Sequence, residues 1–368
     1  MSDPSTQSTL RFRDISPQGV NLKVWDDLVD QCPDAWFMHT SAFHRYIAAA
    51  TGEPFENASF VVENEGRPIA LAPLAFGPLK LDGYEALEAG YYGGPLPWPC
   101  FLPGADKNGE MELAAFAEAE RRAISCGAKR IRYMLSPPQP GEDDILRFAR
   151  VVSKRHYLDT SYPSHWMALD HDAESGVRSR YKRYVKKFSK DFDLRVSRGG
   201  RLGDDLEQAY FDLHVKDSGG MFRSRESYTE MANMAREGLG FFVSAHSRDS
   251  GGAVGVLVVL VHKNHAYDAS VAVDPAYQDA FVSHLLKWQA IRTLSEDGAK
   301  SYELGRWANK ADWNWTPGQK NFGISFFKQG WSRDGVKSVL VAEKFFDRDA
   351  LNHYCAGLAR TAADYFEC

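Results

Sequence analysis

The feature that most constrains this chain is that its element order occurs twice. In the first half, Ala58–Glu63 reads as a strand, Asn64-Glu-Gly-Arg67 as a turn and Pro68–Phe76 as a second strand. Strand, glycine-bearing turn and strand together signal a hairpin. Met111–Ser125 then has helical patterning and stops at Cys126-Gly127, and Lys129–Met134 reads as a strand. In the second half Gly240–Ala245 is a strand and Arg248–Gly252 a turn, followed by the strands Val254–His262 and Ala266–Val273. The helix Phe281–Leu294 ends at Asp297-Gly298 and leads into the strand Ser301–Leu304. Gly127-Ala-Lys129 and Gly298-Ala-Lys300 precede the last strand of each set, and Gly66 and Gly252 sit in the matching hairpin turns. Hairpin–helix–strand also recurs by chance among α/β proteins, but shared letters at similar offsets favour an internal duplication. The expected fold class is α/β with mixed sheets, written as two similar domains. Their bounds are read as 1–165 and 166–368, the second opening with a basic helix over about 178–198 and closing with a C-terminal helix.

The 368 residues suit two domains of ordinary size. The net charge of −5 hides an asymmetry. Between Arg178 and Arg198 there are nine basic residues and two acidic ones, a local +7, which leaves −12 for the remainder. On a helix, Tyr181, Tyr184, Val185 and Phe188 share one face, and Arg183, Lys186, Lys187 and Lys190 form a stripe beside it. One reading is a solvated surface helix. The other is a polyanion site for nucleotide phosphates, a CoA pyrophosphate, tRNA backbone or an anionic membrane surface. The acidic remainder argues against extensive nucleic-acid wrapping. Ala253–Val261 is too short for a helical membrane span and reads as a buried strand. The start shows no apolar signal segment, and the five cysteines are scattered without a CxxC pair. A reducing cytoplasm is therefore the expected compartment. No histidine pair has a metal-binding spacing, so no metal is expected.

Gly305–Trp331 is rich in aromatics, including Trp307, Trp313 and Trp315, interleaved with Arg306, Lys310, Gln319, Lys320 and Lys328. Aromatic faces with polar edges suit a sugar or nucleotide. The same residues could simply fill core beneath a long loop. Among acids and histidines, Asp268, Glu303, Asp274 and His284 are candidates for a general base. On the strand Ala266–Val273, strict alternation puts Tyr267, Ala269 and Val271 on one face and Asp268 and Ser270 on the other. Asp274-Pro275 reads most simply as a turn initiator.

Four stretches carry a family resemblance: Tyr91-Tyr-Gly-Gly-Pro-Leu96, Arg178-Ser-Arg-Tyr-Lys-Arg183, Asp274-Pro-Ala-Tyr277 with Ser283-His-Leu-Leu286, and Tyr302-Glu-Leu-Gly305 with Phe326-Phe-Lys-Gln-Gly-Trp331. In this order they resemble the FemAB-type tandem GNAT N-acyltransferases, many of which serve bacterial cell-envelope pathways. The resemblance implies two tandem GNAT-like domains that move an acyl or aminoacyl group to an amine, without a covalent intermediate. It implies acyl-CoA or aminoacyl-tRNA as co-substrate and no permanently bound cofactor. The acceptor it implies is a small-molecule or sugar-linked amine such as a nucleotide sugar or envelope precursor, with no stable membrane insertion. Lys328 and Glu303, which lie in these stretches, and Asp268, on the strand Ala266–Val273, are the catalytic candidates. Lys328 would meet an acceptor phosphate or the tetrahedral oxyanion, and Arg180 and Arg183 donor or acceptor phosphates. Amides near Val282–His284 would meet the donor's carbonyl or phosphate oxygens. Tyr91, Tyr92, Ser283, His284, Trp307, Trp313 and Trp315 complete the binding set. The alternative is a non-catalytic duplicated module that binds RNA or an anionic surface through its basic helix.

Overall fold

A computed structural model describes residues 10–366 apart from 16–21, 53–54, 82, 92, 107, 136–140, 170–172, 310–314, 316 and 333–334. Two compact units divide the chain. The first takes the chain up to Ser161 and again from Val339. The second takes Tyr162 to Ser338, apart from a short stretch at Trp315.

In the first unit β1 (Arg11–Asp14) is followed by α1 (Leu22–Gln31), α2 (Ser41–Thr51), β2 (Glu56–Asn57) and β3 (Phe60–Asn64). The turn Glu65-Gly66 leads to β4 (Arg67–Ala72), and β5 (Ala75–Leu81) and β6 (Tyr84–Ala89) form the next hairpin. Both Glu65 and Gly66 have positive φ, as a two-residue hairpin turn requires. The strand expected over Pro68–Phe76 is two strands in two sheets. Pro73, which has no N–H for a ladder, lies between them. The short strands β7 (Leu96–Pro97) and β8 (Cys100–Phe101) precede α3 (Glu110–Ser125), β9 (Arg130–Met134), α4 (Glu142–Arg155) and β10 (Leu158–Asp159). One sheet runs β1-β3-β4-β8. The other is completed, in the order β10-β18-β9-β6-β5-β2, by a strand from the far end of the chain, β18 (Val341–Phe345).

The second unit begins with β11 (Tyr162–Ala168) and α5 (Ser179–Phe188), then β12 (Phe192–Ser197), α6 (Asp204–Ser218) and α7 (Arg225–Arg236). The strands β13 (Gly240–Ser247), β14 (Ala253–His262) and β15 (His265–Val273) form an antiparallel meander. A 3-10 segment, Pro275–Ala280, kinked at Tyr277, leads into α8 (Val282–Glu296), β16 (Ser301–Arg306), α9 (Gln319–Gln329) and β17 (Val336–Val339). The sheet order is β12-β13-β14-β15-β16-β11-β17. The aliphatic run Ala253–Val261 lies in β14, whose successive residues are buried on both faces of the sheet, which is why it does not alternate with polar residues. The core packs Leu257, Val259, Leu285, Leu286, Ile291, Tyr302 and Trp331, all nearly inaccessible.

The units repeat one plan: an antiparallel hairpin, a helix, then a strand parallel to the second hairpin strand. It is β5-β6-α3-β9 in the first unit and β14-β15-α8-β16 in the second. The shared Gly-Ala-Lys letters have a structural cause. Ala128 N bonds Ala123 O at 2.9 Å, and Gly127 N bonds Ile124 O at 3.0 Å. Ala299 N bonds Leu294 O at 2.9 Å, and Gly298 N bonds Ser295 O at 3.1 Å. Each pair closes the last turn around a glycine with φ near +80°, a conformation that Gly adopts without a Cβ penalty. A mixed α/β plan written twice is thus both the expected and the observed architecture.

Two expectations are corrected. The basic helix ends at Phe188, not near Arg198, because Phe192–Ser197 pairs along β13 as a strand. The C-terminal helix, α10 (Arg348–Phe366), belongs with the first unit, since β18 just before it pairs with β9 and β10.

Candidate active site

The site lies in the second unit, where two parallel strands part. β15 and β16 pair only through His265–Ser301, Ala266–Tyr302 and Tyr267–Glu303. Beyond that point β15 is held by β14 and β16 by β11, so a gap opens just past Glu303 and Tyr267. The register of β14 and β15 shifts here: Val258 faces Ser270, and Val259 faces Asp268. This bulge absorbs Ala269 and breaks the alternation expected from the sequence. Asp268 lines the same cavity as Val271 and Val273 instead of facing away from them.

That cavity has a volume of about 740 Å³ and includes Asp268, Ser283, His284, Lys287, Lys320 and Lys328 in its wall. Its size falls in the range of small-molecule and cofactor pockets. The first turn of α8 opens onto it. Phe281, at φ 54°, turns the chain into α8, whose N-terminus has no side-chain cap and no acid in its first turn. Its backbone N–H groups therefore present partial positive charge to the cavity. A Cβ on Gly255 would stand 2.7 Å from Val282, so glycine lets the start of α8 lie close against β14.

Two buried polar groups flank the gap. Lys287, on α8, forms an ion pair with Asp268 and donates to Tyr302 Oη at 3.1 Å; Tyr302 donates to Asp268 Oδ1 at 3.2 Å. Burial pulls the Lys287 ammonium down and Asp268 opposes the shift. Burial and the facing carboxylate hold the Tyr302 phenol protonated. The second group joins Glu303 and Lys328. Glu303 accepts from Ser164 Oγ at 2.7 Å. Burial pushes its carboxyl up to about 7, against the pull of that bond and of the Lys328 charge. Lys328 is itself pulled down by burial, with Asp268 and Glu303 opposing. Its ammonium rests on Gly305, where a Cβ would come within 2.7 Å of Nζ. Nearby, His165 Nε2 lies 2.9 Å from Ser325 Oγ; burial, then the Lys328 charge, lowers its pKa to about 4.

Asp268, Lys328, Ser283 and His284 thus meet at one cavity, with Glu303 beside Lys328. His284 is enclosed by Tyr181, Tyr184, Phe281, Phe327 and Trp331; burial, then Arg180, lowers it to about 4, so the ring is neutral. Arg180 stacks on Tyr184, while Arg183 points from the exposed side of α5. Asp274 caps the Pro275–Ala280 turn by accepting from Ala276 N and pairs with Lys216 at 2.8 Å. Trp307 is half-buried on the strand side, its ring 6.2 Å from His165. Tyr91 lies in the core of the first unit, where its hydroxyl meets His44 Nε2 at 2.7 Å. Trp315 falls in the first unit. Tyr92 and Trp313 lie outside the described residues.

Sequence reasoning missed Lys287, Tyr302, Ser164 and His165. Lys287 had a signal: it is four residues after Ser283, on the same helical face, in an otherwise apolar stretch. Ser164 and His165 had none, because β11 reaches this sheet from far away in sequence. Among the described residues no three His, Cys, Asp or Glu side chains are grouped so as to hold a metal ion, and no helix is long and apolar enough to cross a membrane.

Residues 175–316 match the family model of the acetyltransferase (GNAT) domain. No curated protein matches the chain in sequence. Among solved structures, one described as FemX is 12% identical with a TM-score of 0.65, covering 90% of this chain and 98% of that one. A tandem GNAT protein from the clavulanic acid biosynthesis pathway is 15% identical with a TM-score of 0.54, covering 91% and 98%. L-PGS from Bacillus licheniformis is 10% identical with a TM-score of 0.58, covering 92% and 96%. At these identities the likeness is one of fold.

Proposed function

We propose that this chain, a FemAB-like tandem GNAT acyltransferase, moves an acyl group from acyl-CoA to an amine at the gap between β15 and β16. The observation that carries the reading is Glu303, a buried carboxyl held near neutrality beside the Lys328 ammonium at the edge of a roomy cavity. An amine attacks a carbonyl only after losing its proton. Glu303 is suited to take that proton, since a base works best when its pKa lies near the working pH. The C–N bond forms as the carbonyl oxygen gains negative charge. Lys328, fixed over Gly305, is the donor for that oxyanion. The C–S bond then breaks, and the sulfur leaves as a thiol with the second proton, which the nitrogen gives up as the amide forms. Asp268, Lys287 and Tyr302 hold the cavity wall rigid. The uncapped start of α8 favours the donor's pyrophosphate.

A second reading keeps the chemistry and changes the donor to aminoacyl-tRNA, where a C–O ester bond breaks instead. The exposed basic side of α5, Arg183 with Lys186 and Lys187, continued by Lys190 in the 3-10 turn after it, favours a long polyanion. The non-catalytic alternative loses ground to the matched acyltransferase domain.

The test is thermal-shift binding with acetyl-CoA and, separately, a mixed aminoacyl-tRNA pool, followed by thiol release from acetyl-CoA over a panel of primary amines. Stabilisation by acetyl-CoA alone assigns the donor. Lys328→Ala should lower turnover by about tenfold or more, with an unchanged circular dichroism spectrum. Wild-type turnover in that variant removes Lys328 from the chemistry.

A further inference from the structure

One buried hydroxyl is committed to the proposed base. Ser164, fully buried on β11, donates from Oγ to Glu303 Oε1 at 2.7 Å. Among the described residues it is the one hydrogen-bond donor to that carboxyl. The contact depends on an irregularity in the β11–β16 ladder. Ser164 pairs with Arg306 and His165 with Gly305, but Trp166 pairs with Glu303, so Leu304 is passed over. Ser164 and Trp166, two residues apart, share a face of the sheet. In unbroken register Leu304 would stand opposite Trp166, and Glu303 would leave by the other face. Gly305, at φ 95°, stands in the offset. The bulge brings Glu303 to the side of Ser164.

The titratable and charged groups on the surrounding elements are engaged elsewhere or act through charge alone. Asp268 of β15 pairs with Lys287 of α8 and accepts from Tyr302. His165, next on β11, lies against Ser325 Oγ and is neutral at pH 7. Arg306, on β16 itself, lies over the Tyr162 ring. Lys328 of α9 acts on Glu303 by its charge. A hydroxyl that donates to a carboxyl group favours the carboxylate, which is the stronger acceptor.

We propose, on the footing that Glu303 is the base, that Ser164 is a positioning residue for acyl transfer: its hydroxyl fixes the orientation of the Glu303 carboxyl and favours the ionised form that accepts the proton of the amine. The experiment is kcat/KM for thiol release from acetyl-CoA between pH 5 and pH 9 in wild type, Ser164→Ala and Glu303→Gln, with urea unfolding of the first two over the same range. Ser164→Ala should be about tenfold slower than wild type at pH 6 and close to it at pH 9, because the base then ionises about one pH unit higher. The ratio of the two enzymes cancels the titration of the amine itself. A higher folded-state pKa prolongs the loss of stability as pH rises, so the unfolding constant of Ser164→Ala relative to wild type should grow about tenfold from pH 6 to pH 9. A rate ratio or a stability gap that is the same at both pH values overturns the proposal. Ser164→Cys, a weaker donor of similar size, should shift both readouts less and in the same direction, and it decides the matter if Ser164→Ala does not fold. An acid limb that survives in Glu303→Gln removes Glu303 as the base and this role of Ser164 with it. A limb lost in Glu303→Gln but unmoved in Ser164→Ala overturns only the role of Ser164. If wild type releases no thiol, the acyl-CoA reading fails and the unfolding comparison alone decides whether Ser164 favours the carboxylate.

Discussion

Replacing Glu303 with Gln should make the protein more stable while making it a poorer catalyst, and the gain should depend on pH. The wild-type carboxyl is shifted from an ordinary value of 4.5 to about 7 in the folded state. Below pH 4.5 it is protonated in both folded and unfolded chains and contributes no pH-dependent term. Between 4.5 and 7 the unfolded chain releases this proton first, so the folded state holds more protons and stability falls as pH rises. Above 7 both states are ionised and the loss is complete. At about 1.4 kcal/mol per pH decade, the full loss is about 3 kcal/mol. Gln stays neutral throughout, keeps an acceptor for Ser164 and escapes the loss. Urea unfolding at pH 5 and pH 8 should therefore show Glu303→Gln gaining about 2 to 3 kcal/mol more over wild type at pH 8 than at pH 5. Thiol release should meanwhile fall by a factor of about a hundred or more. A variant whose stability difference is the same at both pH values would refute the raised carboxyl, and with it the assignment of Glu303 as the base.

Other outcomes follow from the same geometry. Gly305→Ala adds a Cβ at φ 95° within 2.7 Å of Lys328 Nζ; it should cost about 1–2 kcal/mol in urea unfolding and lower turnover by displacing the ammonium. Lys287→Met leaves Asp268 buried and unpaired and should cost about 3–5 kcal/mol, whereas the Lys287→Met, Asp268→Asn double variant should recover most of it. Arg183→Glu should weaken donor affinity and flatten its salt dependence in titrations over a range of ionic strength, leaving the melting temperature unchanged.

What was legible in the sequence is what local physics writes locally. Gly127 and Gly298 were visible because closing a helix with a left-handed residue demands glycine, and the Ala and Lys after them repeat the same turn into a strand. The hairpins showed in their turn residues, Lys328 stood out through a family pattern, and Asp268 as a carboxylate on a strand. The bulge at Ala269 left no trace, because one extra residue in a strand changes no composition. Yet it decides which side of the sheet Asp268 faces. Arg178–Arg198 looked like one helix because charge spacing does not reveal where β13 will recruit a partner strand. Tyr91 looked like a ligand contact, and its aromatic ring and hydroxyl instead serve a buried bond to His44.

The placement of β18 and β11 bears on how the chain assembles during synthesis. β18 sets Val341 opposite Met134, about 200 residues back, while β11 leaves the first half and joins the second unit's sheet beside β16. Closing so long a loop costs little more at equilibrium than closing a short one, because the entropy grows only with the logarithm of length. In time it costs more. The first sheet must wait with the β9 edge uncovered until the ribosome has delivered the last strand, and an unpaired edge is where chains aggregate. Expressing residues 1–161 alone makes that wait permanent, so a split of this protein by chain order should give insoluble halves that regain solubility only when both are made together.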